Sequence, residues 1–288
     1  MGTHHDPTTT PRTATAHATV GNVAMPLVRP LPRRLVGIWA HPDDEAYLSA
    51  GLMARVVDAG GQVTVVTATR GEKGTDDPAL YDSDDFGAHR ERELRASLAE
   101  LGVTDVRFLG LRDGECDFAA DADVVDRLTE IIAEVEPDCV VTFGPDGMTN
   151  HLDHRAVSRW TTEAVRRLPV QELLYAAVTH DFLRRHDQLH DELGVFAEFP
   201  TGRPPAIARD LIALECTLTP AELARKRRAL AAHESQTAPL AAAMGEDRYV
   251  TWWASEWYRR PTWAEMRSCA VPAWMHEARS APELAAVS

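Results

Sequence analysis

Leu35-Val-Gly-Ile-Trp-Ala40 is a compact apolar run of strand length, and the chain that leaves it changes period at once. Between Ala46 and Ala59, residues Leu48, Leu52, Val56 and Val57 fall at helical spacing, and Gly60-Gly61 stops the helix. Gln62-Val-Thr-Val-Val-Thr-Ala-Thr69 is β-branched and reads as a second strand. A strand, a helix and a strand in immediate succession, with nearly continuous apolar strands, is the pattern of a parallel sheet covered on both faces.

The alternation continues outward from this unit. Residues 70–85 are polar, with Gly71, Gly74, Pro78 and many Asp, and read as a loop; Phe86 to Leu101 is a helix ended by Gly102, with Leu94, Leu98 and Leu101 on one face. Val106-Arg-Phe-Leu109 is a third strand. Val124, Val125, Leu128, Ile131, Ile132 and Val135 mark a strongly amphipathic helix over Asp123–Glu136, which Pro137 closes before a fourth strand, Asp138–Phe143. The loop Gly144–Asn150 leads into a helix from about Leu152 to Leu168. The pattern predicts an α/β protein with a Rossmann-like, mostly parallel sheet and helices on both faces. Right-handed crossovers would bring all the strand-to-helix loops to one sheet edge, where such proteins place their ligands.

Beyond Val178 the pattern weakens. Thr219-Pro-Ala-Glu222 is a capping box with Pro at the first helical position, opening a helix to about Glu234. Residues 1–32, rich in Thr, Pro, His and Ala, read as a flexible leader. Residues 33–180 read as the Rossmann-like core, and 181–288 as a part that completes the same domain. Trp252, Trp253, Trp257, Trp263 and Trp274 crowd the C-terminal extension, which is expected to pack as a lid or arm against the sheet, or at the interface of a homo-oligomer.

The chain has 288 residues, 44 acidic and 30 basic, for a formal net charge of −14. Hydrophobic residues make up 44% and charged residues 26%, a globular composition. The acidic balance argues against nucleic acid or an anionic membrane surface as partner. No apolar run approaches the ~20 residues of a membrane span. Arg33-Arg34 is followed by too short an apolar stretch for a twin-arginine signal. Cys116, Cys139, Cys216 and Cys269 are scattered without a CxxC pair, which fits reduced thiols in a cytoplasm better than a disulfide framework or a zinc ribbon.

The chemistry concentrates at two strand ends. The first strand runs directly into His41-Pro-Asp-Asp-Glu45, an imidazole and three carboxylates that are costly at the mouth of a sheet unless something neutralises them. The fourth is followed by His151-Leu-Asp-His154, which the topology places beside the first cluster. Together they supply neutral nitrogens and carboxylate oxygens for one borderline metal ion, zinc by default, with a further carboxylate free to act as general base. Spacing alone leaves open which Asp binds and which works as base. The competing reading is that Asp43 or Asp44 merely caps the helix.

The pairing of Ala40-His-Pro-Asp-Asp-Glu45 with His151-Leu-Asp-His154 resembles the LmbE-like (PIG-L) zinc-dependent N-deacetylases. These include deacetylases of mycothiol biosynthesis, of glycosylphosphatidylinositol precursors and of glycosylated natural products. The likeness spans roughly Leu35 to Val165. Softer matches are Gly71-Glu-Lys-Gly74, Arg90-Glu-Arg-Glu93-Leu with Leu101-Gly102, Leu111-Arg-Asp-Gly114, and Lys226–Ala231 followed by His233-Glu-Ser-Gln236. The resemblance implies that His41, Asp44 and His154 hold Zn2+ and that Asp43 is the general base taking a proton from the attacking water. It makes His151 the group that stabilises the oxyanion or protonates the leaving amine. Asp153 is expected to orient a ligand or cap the following helix. The implied reaction removes an N-acyl group, most simply acetyl, from an amino sugar or a glycosylated small molecule.

Two alternatives remain at this level. One is an amidase acting on mycothiol-type conjugates, against which stands the absence of a lysine in Ala46-Tyr47-Leu48. The other is a non-catalytic carbohydrate-binding relative, against which stands the spare carboxylate of Asp43. Arg70 and Asp113, at strand ends, are candidates for gripping sugar hydroxyls, with a surface salt bridge as the plainer reading. Arg90 and Glu93 read as a local pair on the outer face of their helix. Arg225-Lys-Arg-Arg228 reads as a solvated face. His180, His186, His190 and His276 stand isolated in polar surroundings and read as solvated or hydrogen-bonded. The acidic residues Asp76, Asp77, Asp82, Asp84 and Asp85 would disfavour an anionic substrate.

Overall fold

The computed structural model describes residue 1 and residues 30–75, 84–119 and 121–267. Residues 2–29 of the leader, residues 76–83 of the acidic loop, Cys269, Trp274 and His276 therefore lie outside the described residues. The first unit forms as its periodicity demands: β1 (Arg34–Trp39), α1 (Asp44–Asp58) and β2 (Gln62–Thr69). The alternation then runs α2 (Asp84–Leu101), β3 (Asp105–Leu111), α3 (Asp121–Val135), β4 (Cys139–Phe143), α4 (Leu152–Arg166) and β5 (Glu172–Thr179). These five strands are parallel, in the order β3-β2-β1-β4-β5. The strand sequence reverses direction between β1 and β4, and at such a point the flanking loops diverge and leave a crevice. His41 follows β1 and His151 precedes α4, so both clusters border it.

The sheet is buried on both faces. Leu35, Val36, Ile38 and Trp39 of β1, with Val65, Val66, Val140 and Val141 beside them, are fully enclosed. Val124, Val125, Leu128, Ile131 and Ile132 of α3 are buried as their spacing predicts.

The C-terminal half continues through α5 (His180–Arg185), α6 (Asp187–Leu193), β6 (Ala206–Ile207), β7 (Leu214–Thr217), α7 (Pro220–Ala232), α8 (Glu234–Met244), α9 (Glu246–Trp252), β8 (Ser255–Arg259) and α10 (Trp263–Arg267). Strand β8 pairs antiparallel with β5, and β7 antiparallel with β8, so this half extends the same sheet. Helix α7 opens on the expected capping box, with both reciprocal bonds between Thr219 and Glu222 formed.

Within α7 the run Arg225–Arg228 is not a solvated face throughout. Arg225 pairs with Asp58, Arg227 with Glu246 and Arg228 with Glu100, whereas Lys226 is only 1% exposed. Its ammonium donates to the Glu256 carboxylate on β8 at 2.8 Å and to the Tyr47 carbonyl on α1 at 2.7 Å. Glu256 in turn accepts from the amides of Gly51 and Leu52 (2.7 and 3.0 Å), and the Tyr258 hydroxyl donates to the Leu48 carbonyl (2.8 Å). Side chains from α7 and β8 thus engage both ends of two rungs of α1. Gly51 permits the approach, since a Cβ there would run into Leu218.

Candidate metal centre

Side chains of three residues from the two strand ends converge. His41 Nδ1 lies 3.1 Å from His154 Nε2, His154 Nε2 lies 3.5 Å from Asp44 Oδ1, and Asp44 Oδ2 lies 3.8 Å from His41 Nδ1. Ligand atoms about 2.0–2.2 Å from a tetrahedral ion sit roughly 3.3–3.6 Å apart, so the spacing suits one small cation.

The other ring nitrogens fix which atoms face it. His154 Nδ1 donates to the Gly147 carbonyl at 2.8 Å, which leaves a lone pair on Nε2, and its ring stacks on Phe143 at 4.2 Å. His41 Nε2 lies between Asp113 Oδ1 (3.1 Å) and Asp153 Oδ2 (3.2 Å), so the Nε2 proton is held there and Nδ1 faces the cluster. Two imidazole nitrogens and a carboxylate aimed at one point repel each other unless a proton or a metal cation lies between them. The donor set therefore fits a divalent ion. Burial disfavours a His41 cation, yet Asp113, Asp153 and Asp44 prevail and raise its pKa to about 10. Burial and the neighbouring His41 and His151 push His154 well below its usual range.

Asp43 stands apart from this set. It occupies the N-cap position of α1 at φ 121° but makes no side-chain capping bond, which disposes of the helix-cap reading. Asp44 is not a cap of that kind either: its carboxylate accepts from the His41 amide at 2.8 Å. Burial pushes Asp43 up to about 7, against the pull of the Arg90 guanidinium 3.4 Å away and with the help of Asp44.

Arg90 corrects the sequence reading. It is 3% exposed, and donates to the Pro42 and Gly71 carbonyls at 2.6 and 2.7 Å. Gly71 (φ 66°) has no room for a Cβ, which would meet the guanidinium. Glu93 is buried as well, accepting from the Ser235 amide and hydroxyl at 2.8 and 2.6 Å. Neither residue is on an outer face. The spacing held the signal, because Arg90 lies four residues before Leu94 and so shares its apolar stripe.

Glu45 and His233 are buried neighbours of the site, quoted within the matching motifs but given no role in the sequence reading. Glu45 accepts from His233 Nε2 at 2.8 Å and from the Asp43 amide at 3.0 Å. Gln236 of the same segment donates to the Gly74 carbonyl at 2.7 Å.

The two sugar-grip candidates lie in different settings. Asp113 is buried, accepting from the Lys73 amide at 2.9 Å besides facing His41, which holds its pKa well below the carboxylate range although burial alone would raise it. Arg70 is about one-third exposed and lies 3.5 Å from Glu91 on α2. His151 caps α4, its Nδ1 accepting from the Asp153 amide at 3.2 Å, and its ring lies 4.9 Å from that of His41. Asp153 does not cap the helix; it accepts from the Gly114 and Cys116 amides at 2.7 and 3.2 Å while facing His41. His190, expected in polar surroundings, is buried beside Phe182, Phe196 and Trp252, and accepts from Trp252 Nε1 at 3.0 Å.

The molecule is thus a Rossmann-like α/β protein with a histidine–carboxylate cluster, able to hold one cation, at the switch point of its sheet. The chain belongs to the PIG-L family, described as GlcNAc-PI de-N-acetylase, which matches residues 36–165. It is 38% identical over 233 residues to the 1D-myo-inositol 2-acetamido-2-deoxy-alpha-D-glucopyranoside deacetylase of Actinosynnema mirum, covering 71% of this chain and 81% of that protein. A protein of the same name from Corynebacterium diphtheriae is 30% identical over 229 residues, or 70% and 76% of the two chains. Among solved structures, the N,N'-diacetylchitobiose deacetylase of Pyrococcus horikoshii matches with a TM-score of 0.53 at 22% identity, covering 79% of this chain and 83% of that one. A teicoplanin deacetylase in a zinc-inhibited form matches with a TM-score of 0.55 at 18% identity, covering 78% and 97%. These last two likenesses are of fold.

Proposed function

We propose that this protein is a zinc-dependent hydrolase that removes an N-acyl group from an amino sugar or a glycosylated small molecule. The observation that carries the reading is the convergence of His41 Nδ1, His154 Nε2 and the Asp44 carboxylate next to a carboxylate, Asp43, that neither caps the helix nor joins them. The likeness to the Actinosynnema mirum protein, named as a deacetylase of an acetamido sugar, supports the same reaction class.

In this reading His41, Asp44 and His154 hold the ion. Bound there, zinc supplies Lewis acidity, polarising the amide carbonyl and lowering the pKa of water from about 16 towards 7. Asp43 accepts the proton of the attacking water, and a carboxyl raised to about 7 is well matched to that task near neutrality. His151, whose Nδ1 is occupied by the Asp153 amide, has Nε2 left to stabilise the oxyanion or to protonate the leaving amine. Asp113 and Asp153 position His41, and Arg90 positions Asp43. Asp113 and Arg70 are proposed to meet the sugar through whatever hydrogen-bonding capacity these contacts leave.

The substrate is a small molecule and not nucleic acid, in keeping with the net charge of −14. Among the described residues no helix is long and apolar enough to cross a membrane, and Cys116, Cys139 and Cys216 are buried free thiols. A cytoplasmic place of action is proposed on that basis.

Asp43→Ala separates this reading from a binding protein. The variant is expected to retain about one equivalent of zinc while the release of acetate from an N-acetylglucosamine conjugate falls by on the order of 10²–10⁴-fold. Unchanged turnover would remove Asp43 from the chemistry, and loss of zinc would make it a ligand.

A further inference from the structure

A cavity of about 220 Å3 adjoins the candidate ligands, with Asp44 and His154 in its wall. Holding one water takes only ~10–15 Å3 of such volume, so the space far exceeds the needs of an acetyl methyl. The remaining wall is dominated by Phe182, Phe196, Trp252, Trp253 and Trp257, from α5, the segment after α6, and the α9–β8 region. Most of the polar groups that do line it are engaged elsewhere, Trp253 Nε1 being a buried donor without a partner. Glu256 is bound to Lys226 and to two amides of α1, Trp252 Nε1 donates to His190, and the Tyr47 hydroxyl faces that of Tyr249.

A pyranose placed here would bury several hydroxyls without partners, at ~1–3 kcal/mol each. An alkyl chain would instead rest mainly on aromatic and aliphatic side chains. The wall contains neither Asp43, His151, Asp113 nor Arg70, so the polar groups suited to a sugar and a leaving amine belong to the remainder of the crevice. An amide carbonyl at the ligands would then direct its acyl substituent into the cavity and its amine towards the polar groups. The geometry points to an acyl-binding subsite: the amide cleaved by this protein carries a linear acyl group longer than acetyl, seated among these aromatic rings. This rests on the hydrolase reading above and adds the substrate class to it.

The test measures kcat/KM of the zinc-loaded protein on glucosamine conjugates bearing N-acetyl, N-butanoyl, N-hexanoyl and N-octanoyl groups. Octyl N-acetylglucosaminide, with its apolar chain on the sugar instead, is the control. Up to about fourfold per methylene is expected, the equivalent of ~0.8 kcal/mol for each buried CH2, or on the order of 10²-fold from acetyl to hexanoyl. Ala177→Phe and, separately, Val195→Phe, both in the wall, are expected to lower the hexanoyl-to-acetyl ratio at least tenfold, thermal melting confirming that each is folded.

A flat or falling series with measurable acetate release overturns the subsite and leaves the hydrolase reading intact. A gain from the octyl aglycone and none from the acyl chain overturns it in the same way. Absence of turnover on every amide instead removes the hydrolase reading. Tryptophan fluorescence then decides the subsite: a shift with the hexanoyl and not the acetyl conjugate upholds it, and no shift overturns it.

Discussion

Replacing Lys226 by Met keeps most of the aliphatic stem and deletes a charge from a position 1% exposed. The Glu256 carboxylate, also buried, keeps the Gly51 and Leu52 amides and the Tyr258 hydroxyl, but loses its only cationic partner within salt-bridge distance among the described residues. Breaking one side of a buried pair costs ~3–5 kcal/mol, because the remaining charge stays desolvated without compensation. At roughly 2–4 °C per kcal/mol for a chain somewhat under this size, the melting temperature should fall by ~6–20 °C. Urea unfolding followed by circular dichroism at pH 7, with zinc held at a fixed saturating concentration, measures the free energy directly.

The double variant Lys226→Met/Glu256→Leu tests the mechanism. Removing the carboxylate as well frees the Gly51 and Leu52 amides to bond to the Tyr47 and Leu48 carbonyls, their i−4 partners in a regular helix. The double variant should therefore lie within ~1–2 kcal/mol of the parent, well above the single one. If Lys226→Met costs less than ~1 kcal/mol, the pair is worth no more than a surface salt bridge and the clamp on α1 is refuted.

Three other outcomes are expected. Asp153→Asn weakens the hold on the Nε2 side of His41 and should reduce zinc affinity ~10–100-fold in a chelator competition; unchanged affinity would assign that hold to Asp113 alone. Arg90→Ala removes the bonds to the Pro42 and Gly71 carbonyls, and should lower turnover at least ~10-fold at unchanged zinc content, measured as acetate release beside elemental analysis. His190, pushed down to about 4 by burial and by His186 and Arg203, stays neutral in the folded state where the unfolded chain already binds a proton. Stability should therefore fall as pH drops from about 6.5 towards 4, by at most ~1.4 kcal/mol per pH unit, and His190→Gln should flatten that slope in urea titrations at successive pH values.

Much of this architecture was legible in the sequence because its signals are local. The period switch between Leu35 and Thr69, the apolar face of α3 and the Thr219–Glu222 box each depend on neighbours in the chain, and each formed as read. Topology followed from crossover handedness, so His41 and His151–His154 could be placed together before any distance was known. Strands β5, β7 and β8 escaped notice, β7 because four residues are too few to show a period. In Ser255–Arg259 the buried positions also alternate a charged residue, Glu256, with Tyr258, which does not read as an apolar face.

The misread charges share a single feature. Arg90 lies in register with Leu94, and Lys226 lies three residues after Leu223 and four before Leu230. Each is therefore a charge on the stripe that its helix buries. Composition alone reads a basic run as solvated; position on the stripe reads its in-register member as paired. What no local rule supplies is the partner, since Asp43 and Glu256 come from distant segments.

Asp43 shows why the site needs those segments. A non-glycine residue at φ 121° is strained by ~1–3 kcal/mol and persists only where its surroundings over-determine it. Its amide is held by Glu45, which is held by His233 at the end of α7, and its carboxylate faces Arg90 of α2, which also ties down the Pro42 carbonyl. The backbone there would favour glycine, while the proposed proton transfer requires a carboxylate. The AHPDDE segment provides two of the three proposed ligands and the proposed base, but residues 90 and 233 hold the geometry. A chain shortened to the matched segment, residues 36–165, would retain every proposed zinc ligand and lose the His233 brace behind Asp43.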